Sequence, residues 1–181
     1  MGRIIVGFPG VGKSSLKEMG WIDLRSDCFW IGDEDKKIRP EGWYESFCNV
    51  AIDLSNQGYD VLVPSHEAIR RYLKFHNQAY TVIYPDPCLK EKWTEKLKDR
   101  YEINPNRETL SAYEAVRDHW DDFMKDLSEE ESSLVIKDMD YSLRDLITDG
   151  YEYIKIRKQC ISDHVVEFDS VLLDDGGIIE I

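Results

Sequence analysis

The residues best suited to chemistry lie near the start of the chain, in the stretch GFPGVGKSS, residues 7–15. Gly7, Gly12, Lys13 and Ser14 match the spacing G-x-x-x-x-G-K-[ST]. Such glycines let backbone N–H groups converge on a phosphate, while the lysine reaches the terminal phosphates and the serine hydroxyl ligates Mg²⁺. The pattern predicts a site for ATP and Mg²⁺. The expected contact residues are Gly7, Pro9, Gly10, Val11, Gly12, Lys13, Ser14 and Ser15, with Ser14 on the metal.

The alternative interpretation of this stretch is a glycine turn that contains a lysine by chance. Its context favours the phosphate site, because the apolar run RIIVG precedes it and a helical pattern follows to about residue 19. Strand, loop and helix in that order place the glycines at a helix N-terminus, where the helix dipole attracts an anion.

Further along the chain, apolar runs typical of strands alternate with segments of helical periodicity. The predicted strands after the first are WIDLR, YDVLVPSH, YTVIYP and SSLVIKD. Helices are expected from Glu41, with Trp43 on the apolar face and Gly58 at the end, after the cap pair Asp86 and Pro87, and in YSLRDLIT; DDGG is expected to be a turn near the C-terminus. Such alternation predicts right-handed crossovers and a parallel sheet covered by helices on both faces, which is a three-layer α/β/α fold. We expect one domain over residues 1–150. Residues 151–181 alternate with period two and predict a small C-terminal β addition.

Composition restricts the class of protein. The 181-residue chain has a net charge of −13 and no apolar run long enough for a membrane span or a signal peptide. We therefore expect a soluble cytoplasmic protein, for which a long nucleic acid or a membrane is an unfavourable partner. The four cysteines have no metal-type spacing and are expected to be reduced and mostly buried.

The motif and the order of elements resemble the P-loop NTPase superfamily, and within it the small-molecule, nucleotide and polynucleotide 5′-hydroxyl kinases. The resemblance implies a five-stranded sheet in the order 2-3-1-4-5, with the site at the carboxyl ends of the strands. It also implies a carboxylate just beyond strand two that prepares the acceptor hydroxyl, and Asp27 in DLRSD occupies that place. The alternative is that Asp27 only caps a turn.

Phosphoryl transfer also needs positive charge around the transferred group, often from arginines on a lid. At 100° per residue, Arg100 and Arg117 fall within the apolar stripes of their helices, on either side of the break INPNRE with Arg107 at its centre. A lid-like segment over about residues 100–117 is one interpretation. The other is that the stems of Arg100 and Arg117 pack while their charges meet internal carboxylates. Which of Arg100, Arg107 and Arg117 would supply this positive charge stays open.

A second group of polar residues follows the third predicted strand. Ser65, as a helix cap, and His66 and Arg70, four residues apart on one helical face, would suit an anionic or hydroxyl-rich acceptor. The alternative is a surface ion pair between Arg70 and Glu67. Strand three ends without the carboxylate that many P-loop hydrolases carry there, which disfavours hydrolysis.

The leading hypothesis is therefore an ATP-dependent kinase acting on a small nucleoside, nucleotide or sugar derivative, with Lys13, Asp27 and Arg100, Arg107 or Arg117 as catalytic groups. Ser65, His66, Arg70 and Asp27 are the predicted acceptor-binding residues. The competing hypothesis is a nucleotide-dependent switch or a non-catalytic P-loop protein with a protein partner. The preference between ATP and GTP, the oligomeric state and the role of the C-terminal β addition stay open.

Overall fold

The computed structural model describes residues 1–29, 31, 38, 40–140, 143–144, 170–172 and 178–180, without the side chains of residues 27, 28, 170–172 and 178–180. Its strands are β1 (Ile4–Gly7), β2 (Ile22–Asp23), β3 (Val61–Pro64), β4 (Thr81–Pro85), β5 (Ser133–Ile136), β6 (Ser170–Leu172) and β7 (Ile178–Glu180). Its α-helices are α1 (Trp43–Asn56), α2 (Glu67–Phe75), α3 (Lys90–Ile103) and α4 (Arg107–Ser128).

The first five strands form a parallel sheet in the order β2-β3-β1-β4-β5. This confirms the α/β class and the strand order that the resemblance implied. The central register pairs Ile4 with Val61 and Gly7 with Pro64, so β1 and β3 end side by side. Parallel strands need crossover connections, and the α-helices between them supply these.

The chain divides into two compact units, residues 1–83 and 84–181, with the boundary inside β4. In the first unit α1 packs against β1, β3 and α2, and the core lies around the fully buried Val6, Phe47 and Leu62. In the second unit α3 packs against α4, and Trp93 and Trp120 are buried. None of the helices among the described residues is both long and apolar enough to cross a membrane.

Helix boundaries follow local signals in the sequence. Gly58, with φ 94°, comes two residues after the end of α1, as its place in the pattern predicted. Asp86 accepts a hydrogen bond from the Cys88 amide at 2.9 Å and caps the short 3₁₀ helix Pro87–Leu89 that leads into α3. Asn106 and Thr109 form a capping box at the start of α4, directly after the predicted break.

Two expectations about these elements are corrected. The segment after the glycine-rich loop is a 3₁₀ helix, Lys13–Met19, ended by Gly20 with φ 85°. The N-cap of α2 is His66 rather than Ser65, and its side chain makes no capping hydrogen bond. Sequence cannot separate two adjacent cap candidates, because the position depends on where the backbone turns out of β3.

The C-terminal prediction is confirmed only where the structure describes it. Strands β6 and β7 pair antiparallel, Ser170 with Glu180, across the predicted DDGG turn, which itself lies outside the described residues. Most of the predicted last helix and residues 151–169 also lie outside the described residues. Of the cysteines, Cys48 is buried and Cys88 is exposed, so the expectation of mostly buried thiols does not extend to Cys88.

Candidate functional site

The glycine-rich loop, residues 7–15, begins at the carboxyl end of β1 and is called the phosphate loop from here on. Its first amide after the strand, Phe8 N–H, donates to the Ile83 carbonyl at 2.9 Å, so the loop starts from a fixed point on β4. Phe8 and Val11 are buried at 1% and 2% exposure, respectively. These two apolar side chains hold the loop against the first unit and leave its backbone to bind a ligand.

Backbone conformation within the loop requires two of its glycines. Gly10 and Gly12 have φ of 89° and 94°, in the left-handed region that side chains disfavour. Within the described part of the chain, the amides of Gly10 and Gly12 donate to no protein acceptor. Left-handed residues interspersed with others turn successive N–H groups toward one concave side, which is a geometry that binds anions.

Gly7 is required for a different reason, since its φ is not positive. A Cβ on Gly7 would lie 2.8 Å from Cδ and 2.9 Å from Cγ of Lys13, because the lysine stem passes directly over this glycine. The Lys13 ammonium ends 2.7 Å from the Gly7 carbonyl, to which it donates. The loop therefore folds its one lysine back across its own entrance, where the terminal phosphates of a bound nucleotide would lie.

The serines of the loop have different environments. Ser15 donates to the Gly12 carbonyl through its hydroxyl at 2.7 Å and through its amide at 3.0 Å, which closes the loop. Ser14 is exposed at the start of the 3₁₀ helix. Its hydroxyl oxygen suits a hard cation such as Mg²⁺, which prefers oxygen ligands. Phosphate oxygens and water molecules usually supply most of the other ligands of this ion.

The ends of β2 and β3 bring a second group of predicted residues next to the loop. Because Gly7 pairs with Pro64, Ser65 and His66 follow on the strand beside the start of the phosphate loop. Ser26, which begins the 3₁₀ helix Ser26–Phe29, has its hydroxyl 3.5 Å from Nε2 of His66. We call Ser26, Asp27, Ser65 and His66 the acceptor corner. Asp27 contributes only its backbone position, since its side chain lies outside the described residues.

Arg70 lies beneath this corner and is 3% exposed, with its Nε donating to the Ser65 carbonyl at 3.4 Å. The alternative of a surface ion pair is wrong, because Arg70 is buried. Arg71, which is exposed, pairs with Glu67 at 2.5 Å. The helical phase of α2 explains this, as it turns Arg70 inward together with Ile69. A guanidinium at this depth supports the turn after β3 and adds positive charge below it.

The expected burial of Arg100 and Arg117 is wrong. Their side chains are 52% and 47% exposed, and Arg107 is exposed as well. Arg100 is in the last turn of α3, beside Ile103 at 85% exposure, so the apolar stripe is not covered at that end. Arg117 lies about 70° from the centre of the face that α4 buries.

The partners of these arginines differ. Arg117 makes paired hydrogen bonds of 2.7 and 2.8 Å to Asp118 and stacks on Tyr113 at 5.4 Å. The bond to Asp118 raises the pKa of Arg117 and the same bond lowers the pKa of Asp118. Arg100 has a distant carboxylate partner, Glu108 at 4.0 Å. Both are residues of the second unit.

Sequence reasoning missed an aromatic cluster beside the acceptor corner. Trp43 at the start of α1 lies 5.7 Å from the His66 ring and 6.2 Å from the Phe29 ring, measured between centroids. In the periodic pattern Trp43 counted only as an apolar position of α1. The available signal was CFW directly after Asp27, an aromatic-rich stretch at the end of a strand.

Neither a scan against protein-family models nor a search of the curated proteins finds a match for this chain. Its function has to be argued from its own residues.

Proposed function

We propose that the chain is an ATP-dependent phosphotransferase with a P-loop kinase-like fold. Its acceptor would be a small hydroxyl- or phosphate-bearing molecule of the nucleoside, nucleotide or sugar type. The observation that carries the proposal is the pairing of Gly7 with Pro64, because it puts the phosphate loop and the acceptor corner on neighbouring strand ends. Adjacent strands lie about 4.8 Å apart, which suits transfer between two bound molecules.

On the donor side, the amides of Gly10 and Gly12 would bind the phosphates of ATP and Lys13 would exchange its Gly7 carbonyl for phosphate oxygens. Ser14 would hold Mg²⁺, which when bound offsets charge on the phosphates. No side chain needs to move far, since the lysine already lies across the loop. The loop is thus prepared for a triphosphate before one binds.

On the acceptor side, Asp27 would accept the proton of the attacking hydroxyl. A bond forms between that oxygen and the γ-phosphorus while the bond from the γ-phosphorus to the bridging oxygen breaks, and ADP leaves with the electron pair. His66 and Ser26 would orient the acceptor, and Arg70 would hold the turn that carries Ser65 and His66. Neither Ser65 nor His66, the two residues that follow β3, carries a carboxylate. This favours phosphoryl transfer to an acceptor over the activation of water.

The assignment of the positive charge around the transferred group to Arg100, Arg107 or Arg117 stays a prediction from the sequence. Arg117 would first have to release Asp118, which it binds through two hydrogen bonds. Arg100 and Arg107 flank the short break between α3 and α4.

The test is ATP consumption with and without a pooled set of nucleosides, nucleotides and sugars. The pool should accelerate turnover, and Asp27→Asn should remove that increment by a factor of about 10² while ATP affinity is unchanged. Asp53→Asn, which removes an exposed carboxylate on α1, is the matched control and should behave as wild type.

Lys13→Ala tests the donor site in the same assay. It should weaken ATP binding at least tenfold, while Lys125→Ala on α4 removes an equal charge without effect. An unchanged ATP affinity in Lys13→Ala would contradict the assignment of residues 7–15 as a phosphate-binding loop. ATP-dependent retention of a protein partner, with no small-molecule stimulation, would instead favour a nucleotide-driven switch.

A further inference from the structure

Four rings form a continuous group where β2, β3 and α1 meet, and we call this group the aromatic wall. Trp43 lies 5.8 Å from Phe47, Phe29 lies 5.6 Å from Phe47, and His66 contacts Trp43 at 5.7 Å. Most of these contacts are edge-to-face, the arrangement that aromatic quadrupoles favour. The aromatic wall thus connects Phe29, in the segment after β2, with His66, in the segment after the neighbouring strand β3.

Exposure changes systematically across the wall. Phe47 is 1% exposed and anchors the group in the core of the first unit. Phe29 and Trp43 are half-buried and His66 is exposed. An aromatic group that served only the core would be buried throughout, whereas this one reaches the surface of the described chain at the acceptor corner.

The wall is placed next to the predicted chemistry. Phe29 follows Asp27 by two residues in the same 3₁₀ helix, and His66 is two residues beyond Pro64, the partner of Gly7 in the sheet. An acceptor that contacts the wall would therefore lie near the backbone of Asp27 and the start of the phosphate loop.

The chemical character of the aromatic wall favours some classes of acceptor over others. Its surface is mostly carbon, with polar atoms such as Nε2 of His66 and the neighbouring Ser26 hydroxyl at its edge. A planar base would cover the ring surface and place its polar edge at these atoms, since stacking on aromatic side chains tolerates every base. A polyol buried there would leave several hydroxyl groups without partners, which is costly.

We propose that the aromatic wall is the base-binding subsite of the acceptor, so that the acceptor is a nucleoside or nucleoside monophosphate. The inference rests on the proposed function, because the acceptor corner is defined by it. The base packs on Trp43, and His66 and Ser26 contact its polar edge. Sugars and polyols lack a planar ring and gain little from this surface.

The first experiment compares separate pools of nucleosides, nucleoside monophosphates, and sugars with polyols as activators of ATP consumption. Nucleosides or their monophosphates should stimulate, and Trp43→Leu should raise their KM about tenfold with little change in kcat or in ATP affinity. Trp43→Phe should retain most of the affinity. Tyr101→Leu is the control, because it removes a half-buried ring from α3, away from the wall.

If Trp43→Leu does not fold, His66→Ala at an exposed position replaces it, with its thermal midpoint measured alongside. Stimulation by sugars or polyols alone would overturn the base subsite and leave the kinase in place. Equal losses for every acceptor and for ATP in the wall variants would show that the wall is only core packing, and would also overturn it.

A binding measurement without ATP separates the two proposals. Titration of adenosine, cytidine and their 5′-monophosphates should show binding that Trp43→Leu weakens about tenfold. Such binding together with no turnover would support the base subsite while the kinase fails. Absence of any nucleoside binding, with other acceptors active, would reject the subsite alone.

Discussion

The Lys13 side chain passes directly over Gly7 and leaves little room there for a Cβ atom. Replacing Gly7 with alanine puts a Cβ within 3 Å of two carbons of Lys13 and 3.0 Å from Cγ2 of the buried Val11. The lysine can swing aside, and the valine methyl needs to shift by only a few tenths of an ångström, so the cost to the fold is small. The Lys13 ammonium then leaves the Gly7 carbonyl, so we expect Gly7→Ala to weaken ATP binding about tenfold or more while the unfolding free energy changes by less than about 1 kcal/mol. Calorimetric titration and urea unfolding measure the two effects.

Gly58→Ala is the matched control at the residue scale. Gly58 has φ 94° and open space around its Cα, so alanine there is strained without any clash. It should lower stability by about 1 kcal/mol and leave ATP affinity unchanged. If Gly7→Ala instead lost stability and kept its affinity, the proposed role of the lysine path would be wrong.

Residue types and spacing were sufficient to place the glycine-rich loop directly after the first strand, where the structure has it. Its use as a nucleotide site stays a prediction. Residue types and spacing were insufficient for Arg100 and Arg117, whose exposure depends on how far each neighbouring surface extends. They were also insufficient for Trp43, since a periodic apolar position does not reveal which rings it meets.

At the scale of elements, the amino ends of β1 and β3 are joined by one ion pair. Arg3 donates to Asp60 from its backbone at 2.8 Å and from its guanidinium at 2.7 Å. Burial alone would raise the pKa of Asp60, but the hydrogen bonds and charge of Arg3 outweigh it and hold the pKa below 3.8.

Because the folded pKa of Asp60 is depressed, its stabilising contribution is complete above the unfolded value of 3.8 and is lost as pH falls through the folded value. Asp60→Asn should cost about 0.5–1 kcal/mol at pH 7, since Arg3 is largely exposed, and the difference from wild type should diminish as the pH falls below 3.8. Urea unfolding of both proteins across this range measures it. A difference that persists at low pH would mean that the pair is not the cause.

Sequence predicted elements best where a local signal had one interpretation. Asp86 with Pro87 marked a helix start and Gly58 a helix end, and both are confirmed. The 3₁₀ form of Lys13–Met19 was not predictable, because apolar spacing over two turns does not distinguish it from an α-helix. The cap of α2 depended on the exit angle of β3, which is a tertiary property.

At the scale of the molecule, a net charge of −13 acts against the folded state through self-repulsion. Exposed ion pairs such as Arg71 with Glu67 contribute little in return. Raising sodium chloride from 20 to 300 mM should therefore increase the thermal midpoint by roughly 2–5 °C through screening. Near the isoelectric point of 4.7 the increase should disappear, and a midpoint that falls with salt at pH 7 would contradict the prediction.

The hydrogen bond from Phe8 to Ile83 has a consequence for synthesis of the protein on the ribosome. The glycine-rich motif precedes β3 and β4 in the chain, but its frame needs β3 beside Gly7 and Ile83 beside Phe8. A nascent chain that has not yet released β4 carries the complete motif without the scaffold that shapes it. If the proposed function holds, nucleotide would first bind only after residue 83 has emerged, when the whole of the first unit is free to fold.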